Sequence, residues 1–369
     1  MGNSLILLLG GPRTILLSPR SKRKAVPNNQ KGTKKRYKIN SSTNKEKSFA
    51  NNPTSNNKLS PFFAIFVPDT NRCQKTEQAM CTVNYIVAEH RFCIVSADVR
   101  LIELLPSYEP FVSDTCGEPL FTLTVDNSIV PSWQGDRVGV FPCNAATFEV
   151  YRRGAQEYRI LISDVNNLPC AFMHIKEGLH EITVTLRGSK EMMQFGLNNA
   201  IMLSYTVATA ACGTLLMHSS VVENAGKGYM FLGASGRGKS THSDLWVEHI
   251  AGSTLINDDN PVVRIAADGT PVVYGSPWSG KRSVYKNVCY PIGGLVSIVQ
   301  KPQNSIRKET VLPAFGIMMA SCSTMKFDKE IHLNICRTIS RVLDKVSVYT
   351  LECRADAQAA QLSSSTLRV

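Results

Sequence analysis

The chain has 369 residues, of which 43% are apolar and 19% charged, a composition typical of a globular protein with about two domains. Its formal charge of +12 lies in one region: residues 1–79 hold 15 of the 41 basic residues and three of the 29 acidic ones, and the remainder carries 26 of each. A nucleic-acid-binding body needs a basic face of its own, so we do not expect nucleic acid as a partner.

Neither the apolar runs nor the cysteines point to a membrane or to an oxidising compartment. The longest apolar run near the N-terminus, residues 5–9, is far shorter than the roughly 20 residues that a spanning helix needs. No basic residue precedes it and no small-residue cleavage site follows it, so a signal peptide is not predicted. Eleven irregularly spaced cysteines without a C-x-x-C pair predict reduced thiols. We therefore expect a cytoplasmic protein with no membrane partner.

Residues 1–79 are predicted to form a disordered basic tail. Residues 18–60 are rich in Lys, Asn, Ser and Thr and almost lack aliphatic side chains, so they cannot bury enough apolar surface to offset the entropy of ordering. Their Lys-Lys-Arg run at 34–36 can bind nucleic acid or anionic lipid, but a solvated tail without function fits equally well. A third interpretation is that the tail is a mis-called start and that Met80 begins the natural protein, because ordered patterning begins just after it.

Residues 80–195 are predicted to form a β-rich N-terminal domain. Short β-prone runs bounded by turn-forming residues indicate strands. These runs are residues 85–87, 92–95, 119–125, 158–162 and 180–186. No catalytic constellation is visible here, and we interpret the isolated His90, His174 and His180 as structural or surface residues. The role of this region stays open.

Residues 196–369 are predicted to form a second, α/β domain. Residues 196–211 are apolar almost all round, which indicates a buried helix. A strand at 214–222, a turn at 224–228 and a strand at 229–232 then form a hairpin. The closing elements predicted after it are a strand at 294–299, a helix at 331–342, a strand at 346–353 and a last helix from residue 355.

The function is carried by residues 233–240, Gly-Ala-Ser-Gly-Arg-Gly-Lys-Ser, which match the phosphate-loop pattern G-x-x-x-x-G-K-[ST] in full. They follow a predicted strand and open a predicted helix, which is the context that the pattern requires. The glycines let backbone N–H groups surround phosphate oxygens, and the helix N-terminus adds roughly half a positive charge. In this interpretation Lys239 reaches the β- and γ-phosphates of ATP and the Ser240 hydroxyl sits on Mg²⁺. The candidate nucleotide-binding residues are Gly233, Ser235, Gly236, Arg237, Gly238, Lys239, Ser240 and Thr241.

Two acids, Asp258 and Asp259, follow a short apolar run and begin 19 residues after Lys239. One carboxylate can hold Mg²⁺ together with Ser240, and the other can accept the proton of an attacking hydroxyl. An Asx-type turn is the alternative. If the hairpin folds as predicted, His218 lies beside this site, where it can ligate a metal or contact the γ-phosphate; a buried structural histidine is the other interpretation.

Residues 275–282, Gly-Ser-Pro-Trp-Ser-Gly-Lys-Arg, form a candidate substrate loop. Glycines punctuate the segment, and Lys281 or Arg282 can neutralise a transferring phosphoryl group. An ordinary surface loop is the alternative.

Three stretches in this order resemble the HPr kinase and phosphoenolpyruvate carboxykinase (ATP) superfamily of phosphate-loop proteins. They are Met-His-Ser-Ser at 217–220, Gly-Ala-Ser-Gly-Arg-Gly-Lys-Ser-Thr at 233–241 and Asn-Asp-Asp at 257–259. The chain also resembles bacterial HPr-kinase-related proteins of uncertain substrate, which share text like that of residues 274–281. The resemblance covers residues 196–353, less than half of the chain.

The resemblance implies an α/β fold, with a phosphate-loop nucleotide-binding domain built on a mixed, twisted sheet and preceded by the β-rich region and the tail. It implies Mg²⁺-ATP as the cofactor, with Lys239 and Ser240 at phosphate and metal. By the same match Asp258 and Asp259 share metal binding and base chemistry, and His218 lies at the metal or the phosphate. The extra lysine metal ligand and the dicarboxylate-binding arginine of carboxykinases have no recognisable counterpart, nor does the substrate-side signature of HPr kinase.

We therefore expect an ATP-dependent phosphotransferase of HPr kinase type that transfers the γ-phosphate to a hydroxyl, with serine favoured, on a protein or a small metabolite. The alternatives are a non-catalytic ATP-binding sensor and a carboxykinase-type phosphoryl transfer. A transporter-type ATPase is disfavoured because no Leu-Ser-Gly-Gly-Gln signature is present. The sequence reveals neither the phosphoryl acceptor nor the oligomeric state.

Overall fold

The computed structural model describes residues 80–115, 117–143, 145–280 and 282–368 of the chain. The predicted tail and Lys281 lie outside the described residues. Within them, strands and helices form a mixed α/β structure with two mixed sheets, which confirms the predicted fold class at that level. No helix in this part of the chain is long and apolar enough to cross a membrane.

The strands of the first sheet all precede residue 187. They are β1 (Cys81–Val87), β2 (His90–Ser96), β3 (Phe121–Val125), β4 (Asp136–Cys143), β5 (Ala146–Arg153), β6 (Glu157–Ser163), β7 (Pro169–Ile175) and β8 (Glu181–Leu186). Short 3-10 helices at Val99–Leu104 and Pro106–Phe111 separate β2 from β3. The order across the sheet is β1-β2-β3-β8-β7-β6-β5-β4, with β3 parallel to both of its neighbours.

All five strands predicted in this region are present, but β4, β5 and β7 are additional. Strand β4 contains Gly139 and Pro142, residues that weaken a strand prediction, and it is tolerated because it lies at the sheet edge. Strand β7 begins with Pro169 and its sequence, Pro-Cys-Ala-Phe-Met-His-Ile, has a single β-branched residue. Its position between β6 and β8 supplies the pairing that its own residues do not signal.

The remaining strands form a second sheet with five helices around it. The strands are β9 (Thr214–Leu216), β10 (Ser219–Asn224), β11 (Lys227–Leu232), β12 (Thr254–Asp259), β13 (Val262–Ile265), β14 (Pro271–Tyr274), β15 (Cys289–Gln300), β16 (Ser305–Lys308) and β17 (Val348–Cys353). The helices are α1 (Lys190–Thr209), α2 (Lys239–His249), α3 (Val311–Ser321), α4 (Lys329–Leu343) and α5 (Ala357–Leu367). The predicted first strand is divided into β9 and β10, whereas the predicted hairpin is the antiparallel pair β10 and β11.

Helix α1 is buried almost all round because it lies between the two sheets. It contacts β3, β6, β7 and β8 on one side and β9 on the other. It begins at Lys190, six residues before the predicted start, where the Ser189 side chain accepts a hydrogen bond from the Met192 N–H. The predicted domain boundary at residues 195 and 196 therefore falls inside this helix. A single apolar cluster joins the first sheet, α1 and the inner face of the second sheet.

The order and direction of strands in the second sheet determine where loops meet. The central order is β12-β10-β11-β15, and β17 pairs with the far part of β15. Strands β11, β15 and β17 are parallel, and β10 runs antiparallel to both β11 and β12. The carboxyl ends of β11, β12, β15 and β17 therefore lie along the same edge. Ligands of α/β proteins bind characteristically outside such an edge.

Asp328 links α4 to the first sheet. Its Oδ1 atom accepts hydrogen bonds from the N–H groups of Glu330 and Ile331, both at 3.0 Å, and so caps the helix. Its Oδ2 atom accepts a 2.6 Å hydrogen bond from the hydroxyl of the buried Tyr158 on β6. One carboxylate thus satisfies both a helix end and a buried phenol.

Replacing Asp328 with alanine is expected to lower the free energy of unfolding by about 2–4 kcal/mol, because it removes an N-cap and leaves a buried hydroxyl without its acceptor. Urea unfolding of the full chain measures the change. Tyr158→Phe, which keeps the cap, should cost only about 1 kcal/mol. Equal losses for the two variants would contradict this assignment.

Candidate functional site

Strand pairing brings three predicted segments to one point on the carboxyl edge of the second sheet. Ser219, the first residue of β10, is paired with Leu232 on β11 and with Asp259 on β12. His218 immediately precedes Ser219, and Gly233 immediately follows Leu232. The histidine, the start of the glycine-rich loop and the end of the acidic strand must therefore be neighbours.

Residues 233–238, the glycine loop, connect β11 to α2. Gly236 and Gly238 have φ angles of +79° and +94°, in the left-handed region that favours glycine. Gly238 is the N-cap of α2, so the helix begins at Lys239, one residue before the predicted Ser240. Ala234, Ser235, Gly236 and Arg237 are exposed, and Ser240 and Thr241 follow in the first turn of α2. The unpaired N–H groups of this first turn give the loop the positive end of a helix.

Lys239 folds back over the glycine loop instead of extending into solvent. Its Nζ atom donates to the carbonyl oxygens of Gly233, at 3.0 Å, and Ala234, at 3.4 Å. It also lies 2.7 Å from Nε2 of His218, and Nδ1 of that ring lies 2.9 Å from Oδ1 of Asp259. Because an ionised carboxylate can only accept, Nδ1–H donates the hydrogen bond to Asp259, which leaves Nε2 as the acceptor for the ammonium group. Lys239, His218 and Asp259 thus form one continuous chain of hydrogen bonds.

Burial lowers the pKa of Lys239, and the nearby carboxylates of Asp259 and Asp258 oppose this shift. Lys239 is only 8% exposed, and its ammonium group has one ring nitrogen and two carbonyl oxygens as partners. A phosphate placed in the loop would supply the negative charge that these neutral partners lack. In the free chain, His218 and the two loop carbonyls occupy the ammonium group instead.

Asp258 and Asp259 end β12 and are both buried, as is the Asn257 that precedes them. The segment from Gly275 to Gly280 passes directly against them: the Gly280 N–H donates to the Asp258 carbonyl at 2.9 Å. A Cβ atom on Gly280 would lie only 2.8 Å from that carbonyl oxygen, so the close approach requires glycine. The Asx-type contact belongs to Asn257, whose Oδ1 accepts from the Asp259 N–H, and leaves both acids for other partners.

Arg282 is the predicted substrate-loop residue that the fold brings to the site. Its Nε atom lies 3.3 Å from Oδ2 of Asp258, and one of its terminal nitrogens donates to the Ser240 carbonyl at 3.0 Å. Its other partner, Asp244 on α2, was missed by the sequence analysis. The signal that could have found it is its spacing, because Asp244 lies one helical turn after Ser240 on the same face of α2.

The oxygen donors here suit Mg²⁺, which prefers carboxylates, hydroxyls and phosphate oxygens. Asp258, Asp259 and the Ser240 hydroxyl come from three positions around the end of β12 and the start of α2. Among the described residues, no group of three or more His, Cys, Asp and Glu side chains is arranged so that it could hold a metal ion.

A cleft of about 60 Å³ lies next to the glycine loop, on the side of β11 away from the acids. Arg237, Thr241 and Leu245 line it from the loop and α2. Ile298, Gln300, Arg354 and Ala355 line it from the carboxyl ends of β15 and β17. The sequence analysis missed these last four residues, because only the parallel pairing of β11, β15 and β17 places them beside the loop.

No protein-family model matches this chain, and a search of the curated proteins finds no match either. The resemblance to the HPr kinase and carboxykinase group therefore depends on the three short motifs themselves. What the fold adds is their proximity: His218 contacts both Lys239 and Asp259, although these residues lie 21 and 41 positions further along the chain.

Anion binding in the glycine loop is expected to be coupled to proton uptake at alkaline pH. Burial lowers the pKa of Lys239 in the free protein, and a bound polyanion raises it again. Between those two values the free protein has lost a proton that the complex retains, so binding takes up a proton and affinity falls as pH rises.

Titration of the full chain with tripolyphosphate, by calorimetry in alkaline buffers of different ionisation enthalpy, measures this uptake. The Lys239→Arg variant keeps a positive charge at every accessible pH and should show none of it. The same proton uptake in both proteins would assign the effect to another group.

Proposed function

We propose that this chain is an ATP-dependent kinase with a phosphate-loop nucleotide-binding fold, which transfers the γ-phosphate of Mg²⁺-ATP to a hydroxyl of a protein or a small metabolite, serine being the favoured acceptor. The observation that carries the proposal is that His218 contacts both Lys239, the first residue of α2, and Asp259, the last residue of β12. Phosphoryl transfer needs cations around the phosphates, a positioned acceptor and a proton acceptor, and little covalent chemistry. Each of these has a candidate at this edge.

In this proposal Lys239 and the glycine loop hold the β- and γ-phosphates. Lys239 exchanges His218 for phosphate oxygens, and the histidine stays oriented by Asp259. The Ser240 hydroxyl and Asp258 hold Mg²⁺, which when bound neutralises charge on the transferring phosphoryl group. Arg282 lies beside Asp258 and adds its positive charge to that of Lys239.

The two acids differ in their partners, and this difference supports a division of roles. The Oδ2 atom of Asp258 lies 3.3 Å from the Arg282 guanidinium, so this carboxylate already has a cation as its partner. Asp259 has the imidazole of His218 as its partner, which fixes its orientation. We therefore assign the general base for the acceptor hydroxyl to Asp259 and metal binding to Asp258.

The cleft beside the glycine loop is the place for the nucleoside. In this proposal the metal and the acids lie on the β12 side of the glycine loop. The triphosphate then extends toward β15 and β17, where Thr241 and the other cleft residues lie. Leu245 and Ile298 offer apolar contact to a base, and the exposed guanidinium groups of Arg237 and Arg354 flank it. Pockets for nucleosides combine such apolar walls with a few polar groups.

We also propose a cytoplasmic location. The nine cysteines within the described residues are all free, and several of them are buried. Thiols in this state are typical of a reducing compartment.

The proposal is tested with the purified full chain, Mg²⁺ and γ-labelled ATP, offered a protein extract and a small-molecule extract separately. Label should appear on a hydroxyl in one of them, and Lys239→Ala should abolish both ATP binding and transfer. Asp259→Asn should lower transfer by about 10²–10⁴-fold, the usual contribution of a general base, with nearly unchanged ATP affinity.

Tight ATP binding with no transfer to either extract would favour the nucleotide sensor over the kinase. Unchanged ATP affinity in Lys239→Ala would remove the nucleotide site from the glycine loop. Equal loss of affinity and transfer in Asp259→Asn would make Asp259 a binding residue.

The nucleoside assignment has its own test. Ala355→Trp fills the cleft and should weaken ATP binding about tenfold or more, equivalent to 1.4 kcal/mol, while tripolyphosphate, which has no nucleoside, binds as before. Lys239→Ala should weaken both ligands. The matched control is Ala155→Trp at an exposed alanine in the turn between β5 and β6. A parallel loss for ATP and tripolyphosphate in Ala355→Trp would contradict the assignment.

A further inference from the structure

Arg282 is held by three groups around the start of α2. Its two terminal nitrogens donate to the two carboxylate oxygens of Asp244, at 2.6 and 2.7 Å. One of them also donates to the Ser240 carbonyl at 3.0 Å, and its Nε atom lies 3.3 Å from Asp258. The shortest contacts are therefore with Asp244, and the contact with Asp258 is the longest.

The pairing with Asp244 fixes the guanidinium in both position and plane. A carboxylate that accepts two parallel N–H bonds from arginine sets the orientation of the whole planar group. Asp244 lies on α2, whose first turn carries Ser240, so the guanidinium is tied to the helix that forms the phosphate site. The side chain of Asp244 is 60% exposed, and ion pairs that exposed add little to stability.

Asp258 is in a different situation, because its side chain is only 6% exposed and has one guanidinium nitrogen beside it. In the proposed function this carboxylate also has to accept Mg²⁺. Two cations then compete for one buried carboxylate, unless the guanidinium is neutralised by another partner. Asp244 is the group within reach that can do this.

We propose that Asp244 is a positioning residue for phosphoryl transfer: it holds the Arg282 guanidinium at the start of α2 and keeps it from pairing fully with Asp258, which leaves that carboxylate available to the metal-bound nucleotide. This inference rests on the proposed function. Without the negative charge of Asp244, the guanidinium has Asp258 as its remaining carboxylate, and the metal has to displace it.

The test compares Asp244→Asn with Glu248→Gln in the full chain. Glu248→Gln is the matched control, because it also removes one negative charge, at an exposed position one helical turn after Asp244 on α2. ATP affinity is measured by calorimetry over a series of Mg²⁺ concentrations and without Mg²⁺, and transfer is measured with γ-labelled ATP.

Asp244→Asn should raise the Mg²⁺ concentration for half-maximal ATP binding by about 10–100-fold, the usual effect of losing a group that supports a metal ligand. ATP affinity without Mg²⁺ and the melting temperature should match those of Glu248→Gln, because an exposed pair contributes little stability. Asp244→Glu should recover most of the Mg²⁺ response. Combining Asp244→Asn with Arg282→Gln should add nothing to the effect of Arg282→Gln, since Asp244 acts through the arginine.

An unchanged Mg²⁺ response in Asp244→Asn, or a loss that is equal with and without Mg²⁺, would overturn the inference. Additive effects in the double variant would also overturn it. These outcomes are distinct from a failure of the proposed function, in which the wild-type chain binds no ATP or Lys239→Ala binds it normally, and which would overturn both.

Discussion

The antiparallel pairing of β10 between β11 and β12 is the constraint on which the rest of the site depends. It turns the first residue of β10 toward the same edge as the last residues of its two neighbours. The pairing of Ser219 with Leu232 and with Asp259 therefore brings His218, the glycine loop and the end of β12 together. A slip of one residue in the pairing of β10 with β12 would exchange the faces of the sheet to which Asp258 and Asp259 project.

Charge neutralisation organises the buried groups at this edge. His218 joins the lysine to one acid, and Arg282 joins the other acid to α2. In a medium of low polarity each such group needs a partner, and removing one leaves the other costly. Lys239 and Asp258, however, have partners that a polyanion and a divalent cation could replace. In the proposed function, a charged ligand would replace these contacts.

Contacts with the β-rich region and α1 stabilise the segment that leads to Arg282. Trp278, in the segment that leads to Arg282, is buried and donates a 2.6 Å hydrogen bond to the hydroxyl of Tyr108, which lies between β2 and β3. Its ring also packs against Tyr205 of α1, with centroids 5.0 Å apart. The first sheet and α1 thus fix the path of the chain toward the acids. The β-rich region therefore has a physical role in building the site.

The sequence by itself determined the features that depend on neighbouring residues. Short-range pattern predicts the glycine loop, the helix after it, the hairpin before it and the buried α1. It also identifies the candidate site residues His218, Lys239, Asp258, Asp259 and Arg282. Only the tertiary structure decided which of these touch, that Asp244 holds Arg282, and that β15 and β17 wall a cleft with Gln300 and Arg354. Strand order and direction are set by packing among distant segments, and no local pattern encodes them.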